Sequence, residues 1–104
     1  MSVSYFIGID IGTQGARVIV LDETGRQVAA KDEVFELTPL SRQEQDPEMW
    51  WRCCYRLLGA VCKEASSFIN LSQVKAIGVT STSGTIIPIN KSYKPLHAAI
   101  MYSD

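Results

Sequence analysis

The residues with most chemical potential lie close together near the start of the chain, in Gly8-Ile9-Asp10-Ile11-Gly12-Thr13-Gln14-Gly15-Ala16-Arg17. A carboxylate ends one apolar run, glycines let backbone N–H groups come close to a ligand, and hydroxyl, amide and guanidinium groups follow within seven positions. That set of groups suits the phosphates of a nucleotide and the metal ion that accompanies them, with Asp10 on the metal side.

Such a loop needs a rigid frame. Tyr5 to Asp10 is a nearly continuous apolar run, as expected of a central strand covered on both faces. Arg17 to Leu21 reads as the returning strand, Asp22 to Arg26 as a hairpin loop, and Gln27 to Phe35 as a third strand, giving an antiparallel meander with Asp10 at its tip. Glu36 to Gln45 reads as an ordered loop crossing the sheet edge. A helix then begins sharply, with Asp46 as N-cap, Pro47 in the first helical position and Glu48 near the positive end of the helix dipole. Trp50, Cys54, Leu57, Leu58, Val61, Cys62 and Ala65 recur at spacings of three and four, which puts one apolar stripe on the sheet. Trp50 and Trp51 are read as core and edge packing rather than as a stacking platform for a ligand, and Cys53, Cys54 and Cys62, which have no partners at metal-ligand spacing, as reduced packing residues.

Val74 to Thr80 reads as a strand that runs parallel to its neighbour because a helix precedes it. It opens into Ser81-Thr82-Ser83-Gly84-Thr85, small polar residues at the carboxyl end of a strand, where ligands bind in open α/β sheets. Ile86 to Asn90 is expected to be an edge strand bearing Pro88, Lys91 to Pro95 a turn, and Ala98 to Tyr102 a final short apolar run. His97 reads as a surface residue, with no nucleophile or orienting group assembled around it.

Composition limits the function classes. With 104 residues, 46% of them hydrophobic, the chain is long enough for one compact core and too short for two ordinary domains. A net charge of −1 with no basic stripe argues against nucleic acid and against an anionic membrane surface as partners. No signal or spanning segment is recognisable, so a cytoplasmic location is expected. One helix and a few strands leave a sheet face thinly covered, which suggests an incomplete domain, and the exposed apolar surface leaves a homodimer open.

Three segments in order, Gly8-Ile9-Asp10-Ile11-Gly12-Thr13-Gln14 with Arg17, Glu44-Gln45-Asp46-Pro47-Glu48-x-Trp50-Trp51, and Ala76-Ile77-Gly78-Val79 with Pro95-Leu96 to Ala99-Ile100-Met101-Tyr102-Ser103-Asp104, resemble the N-terminal part of FGGY-type carbohydrate kinases. The resemblance implies a ribonuclease-H-like, actin-type ATPase fold, an α/β mixed sheet with a three-strand antiparallel meander and one long crossover helix. Residues 1–104 would be the N-terminal portion of the first of two domains. It implies ATP and Mg2+ as cofactors, with Asp10 near the metal and Gly12, Thr13, Gln14 and Arg17 at the phosphates; Arg17 could equally serve a structural ion pair. Ser81, Thr82 and Ser83 fall where the family holds sugar hydroxyls, Tyr102 stands in place of the tryptophan of an I-L-W-x-D motif, and Asp104 matches the acid of that motif. No catalytic residue is expected in this chain, because the family's general-base aspartate lies beyond residue 104.

The Ser81 segment lacks the Arg-Glu pair of glycerol kinases and the Gln-Met-His of xylulokinases. It looks closer to ribulokinases, while the Pro95 to Asp104 ending looks like xylulokinases, so a pentulose is the expected substrate. The chain alone is expected to be inactive. The alternative is a nucleotide-binding interaction module of the actin or chaperone kind. A metal-dependent nuclease is less well supported, since Thr80 occupies the position where a second carboxylate would be needed.

Overall fold

The computed structural model describes residues 3–82 and 84–101. Strands β1 (Tyr5–Gly12), β2 (Gly15–Asp22) and β3 (Gln27–Val34) form the antiparallel meander expected from the sequence. The β2–β3 turn is closed by Asp22, whose Oδ1 accepts from the backbone N–H groups of Thr24 and Arg26 at 2.8 and 2.9 Å. Gly25 supplies the left-handed backbone the turn requires, at φ 87°.

A two-residue strand β4 (Glu44–Gln45) precedes helix α1 (Pro47–Ala65), and a 3-10 turn at Leu71–Gln73 leads into β5 (Val74–Ser81). β5 lies parallel to β1, so the main sheet has the order β3-β2-β1-β5. The helix start follows the sequence reading: Asp46 accepts from the Glu48 N–H at 2.9 Å and Pro47 occupies the first turn.

Alternation along the strands sorts the sheet into two faces. Ile7 on β1, Ala16, Val18 and Val20 on β2 and Ala29 on β3 face α1 and meet Trp50, Cys53, Cys54, Leu57, Val61 and Ala65 in one core, joined by Phe35, Ala99 and Met101. All three cysteines are free, as packing residues should be. Cys53 adds a contact that apolar periodicity does not reveal: its thiol donates to Glu33 Oε2 at 3.4 Å, and Glu33 also pairs with Arg56. Burial first, then the Glu33 carboxylate, push the Cys53 thiol up to about 11, which keeps it protonated.

Of the two tryptophans Trp50 takes the core position and Trp51 the edge: Trp51 is exposed beside Tyr55, at 6.2 Å between ring centroids, because it lies off the apolar stripe that Trp50 begins. Two sequence expectations are corrected. Residues 86–90 do not form a strand; Ile86 and Ile89 make single bridges to Ile100 and Pro95. The reason is local, since Pro88 has no N–H to give a ladder and its carbonyl is taken by the Leu96 N–H at 2.8 Å. The loop at 36–45 is not wholly irregular, because its last two residues pair as β4 with β6 (Ala99–Ile100).

Candidate functional site

β1 and β2 meet in a two-residue turn, Thr13-Gln14, between the facing glycines Gly12 and Gly15. The second glycine is required by space: a Cβ on Gly15 would lie 2.4 Å from the Glu33 carbonyl oxygen. β2 therefore runs tightly against β3 at the neck of the turn, which is held from two further directions. The Phe35 N–H donates to the Gln14 carbonyl at 2.7 Å, and the Gln45 side-chain amide donates to the Thr13 carbonyl at 2.9 Å.

Register places the charged groups. Asp32, Arg17, Asp10 and Thr80 are successive partners across β3, β2, β1 and β5, so they form one rung on the face opposite α1. Asp10 and Arg17 are both exposed. Among the described residues Arg17 has no carboxylate within 4.0 Å, although Asp10 and Asp32 flank it in register. An open groove of about 750 Å³ runs along this end of the sheet, lined by Asp10, Gly12, Thr13, Gln14 and Arg17 from the turn and by Arg42 from the following loop. The five residues singled out in the first motif thus share one concave surface.

β5 ends beside that turn. Because it is parallel to β1, with Ile11 paired to Ser81, the carboxyl ends of the two strands open on the same side. Ser81 is exposed there, and the hydroxyls of Thr82 and Thr85 are hydrogen-bonded to each other. Ser83, Tyr102 and Asp104 lie outside the described residues. His97 is exposed, its Nδ1 2.8 Å from the Ala98 carbonyl oxygen, in keeping with a surface role.

Gln45 belongs to the site although its chemistry was not read from the sequence, where it served only as part of a motif. It is 6% exposed. Its Nε2 donates to the carbonyls of Thr13 and Ser41, each at 2.9 Å, and its Oε1 accepts from the Trp50 indole at 2.8 Å. The available signal is an uncharged amide immediately before the N-cap of a helix with two tryptophans at its fourth and fifth positions.

Among known proteins, the model of the FGGY family of carbohydrate kinases, N-terminal domain, matches residues 5–104. A xylulose kinase of Escherichia coli (strain K12) is 36% identical over 102 residues, which cover 95% of this chain and 20% of the relative. A glycerol kinase of Acidovorax ebreus (strain TPSY) is 33% identical, over 98% of this chain and 21% of the relative. The crystal structure of a xyloylose kinase from Brucella ovis superposes with a TM-score of 0.79 at 22% identity, over 92% of this chain and 20% of that one. Plasmodium falciparum glycerol kinase with ADP gives 0.76 at 28% identity, over 96% and 20%. The chain therefore spans about 20% of the length of these relatives. The mixed sheet, with its meander, crossover helix and parallel β5, is the actin-type ATPase architecture expected from the sequence.

Proposed function

This chain belongs to the FGGY family of carbohydrate kinases, and from that premise we propose that the protein carrying it transfers a phosphoryl group from ATP to a hydroxyl of a sugar or polyol. A pentulose is the favoured substrate. The relatives leave the choice between sugar and polyol open, since both xylulose and glycerol kinases are among them. Residues 1–104 make up the N-terminal portion of the first domain, and the general base is supplied by residues beyond it.

The observation that carries this reading is the convergence at one sheet end of a glycine-flanked turn and the Ser81 strand end, paired in parallel register. Gly12, Thr13 and Gln14 present backbone groups and Arg17 a guanidinium to the phosphates. The lack of an ion pair at Arg17 among the described residues favours the phosphate role for it. Ser81, Thr82, Ser83, Tyr102 and Asp104 hold the substrate hydroxyls.

Magnesium fits the donor set. Among the described residues no group of three or more His, Cys, Asp or Glu side chains could cage a cation. Mg2+ typically takes one or two carboxylates, substrate phosphates and several waters, and Asp10 supplies the carboxylate through a water. When bound, the ion supplies charge neutralisation at the phosphates. The chain's own residues orient the nucleotide, and positioning together with charge stabilisation accounts for most of the rate in this class of reaction.

A coupled ADP-release assay with ribulose, xylulose and glycerol, on the 104-residue chain and on the longer protein, tests the proposal. The longer protein turns over at least one of the three and the chain alone none. ATP hydrolysis indifferent to any sugar would instead favour an actin- or chaperone-like module. No helix among the described residues is long and apolar enough to cross a membrane.

A further inference from the structure

Gln45 is a buried polar side chain with three hydrogen bonds, and these bonds have a directional consequence. The Thr13–Gln14 peptide is trans and planar, so its C=O and N–H point in opposite directions. Gln45 Nε2 draws the Thr13 carbonyl toward the buried start of α1. The Gln14 N–H must then face away from it, on the exposed side of the turn. Phe35 fixes the next carbonyl, that of Gln14, at 2.7 Å. Among the described residues neither the Thr13 nor the Gln14 N–H donates to any turn, loop or side-chain acceptor. The Gln14 N–H is thus left open on a turn that lines the groove, while the Thr13 and Gln14 carbonyls are tied down behind it.

Resting on the phosphate-binding reading, we propose that Gln45 is a positioning residue for the nucleotide: by fixing the Thr13 carbonyl it aims the Gln14 N–H at a phosphate oxygen. Its two donations, to the Thr13 and Ser41 carbonyls, fix the amide orientation, since flipping the amide would set Oε1 against both carbonyl oxygens; the Trp50 indole N–H satisfies Oε1. Gln45 touches no substrate; it acts through the turn. Preorganised donors of this sort avoid reorganisation when the ligand arrives.

Two substitutions in the full-length protein separate this from simple packing. Gln45→Met keeps the side-chain volume and removes all three hydrogen bonds. Trp50→Phe removes the indole bond and leaves the amide on Thr13. Gln45→Met should weaken MgATP binding about tenfold, the scale of one lost hydrogen bond to a charged group, and leave sugar affinity unchanged. Trp50→Phe should lower the Tm without moving the MgATP affinity. A folded Gln45→Met protein that binds MgATP as tightly as the unmutated one overturns the proposal, as does an equal nucleotide loss in Trp50→Phe.

Should Gln45→Met fail to fold, the unmutated protein with 15N-labelled glutamine gives the answer. MgATP should shift the Gln14 backbone amide and the Gln45 side-chain amide together, and a Gln45 signal that stays still while Gln14 moves overturns the proposal. An unmutated protein that does not bind MgATP at all overturns the phosphate reading itself, a failure distinct from that of Gln45.

Discussion

The two ends of the rung Ile7–Ile77 have very different surroundings. They are Cα partners on one face of the sheet, yet Ile7 is 5% exposed and Ile77 53%. Val79, partner of Ile9 on the same face, is 66% exposed. The cause is the position of α1, which packs over β2 and β3 and leaves β5 uncovered. The nucleotide side of the candidate site is therefore framed by a packed core, two glycines and a clamped turn. The β5 side is held by backbone pairing to β1 and, beyond its end, by single bridges. Strength of framing thus separates the half that would hold phosphates from the half that would hold the sugar.

The sharpest break in that comparison is a pair of identical substitutions. Ile7→Ala should cost about 2–5 kcal/mol of stability through lost transfer energy and a cavity. Ile77→Ala, one strand away, should stay within about 0.5 kcal/mol. Denaturant unfolding of both variants measures the difference; similar costs would mean β5 is as well covered as β1.

A smaller contrast is expected between two glycines. Gly15→Ala brings a Cβ against the Glu33 carbonyl and should cost about 1–3 kcal/mol. A Cβ on Gly78 meets nothing within 4 Å, so Gly78→Ala should be near neutral, as thermal unfolding would show.

Weakest is the acid response of the α1–β3 contact. The hydrogen bond from Arg56, then that from Cys53, hold the Glu33 carboxyl below the ordinary glutamate range. A carboxyl depressed in the folded state contributes stability above its unfolded pKa, roughly 4.3, and loses it as pH falls through the folded value. Glu33→Gln should therefore lower the neutral plateau slightly, since the pair is exposed, and by the same small amount flatten the acid limb below about pH 4.3, leaving stability at the acid end unchanged. An unchanged acid limb would assign that limb to other carboxylates.

Much of this frame was legible in the sequence because its determinants are local. The meander follows from apolar runs punctuated by Asp22 and Gly25, and α1 from Asp46, Pro47 and a stripe at helical spacing. The parallel placement of β5 follows from the helix that precedes it. What was not legible depends on residues distant in sequence. β4 exists only because Glu44 and Gln45 meet Ile100 and Ala99, more than fifty positions later. Gln45 looked like one polar residue among several, and its burial against Thr13, Ser41 and Trp50 emerges only when four segments come together. Residues 86–90 looked like a strand because four of the five are apolar or amide-bearing, but apolar content does not supply the N–H that Pro88 lacks.

The division of labour between the two sides is tested most directly by steady-state KM values for MgATP and for the preferred sugar in the full-length protein, measured for Arg17→Met and Ser81→Ala. The account predicts that Arg17→Met raises the KM for MgATP by about tenfold or more with little change for the sugar, and that Ser81→Ala does the reverse. Both constants moving together in each variant, or a KM for MgATP indifferent to Arg17, would contradict it.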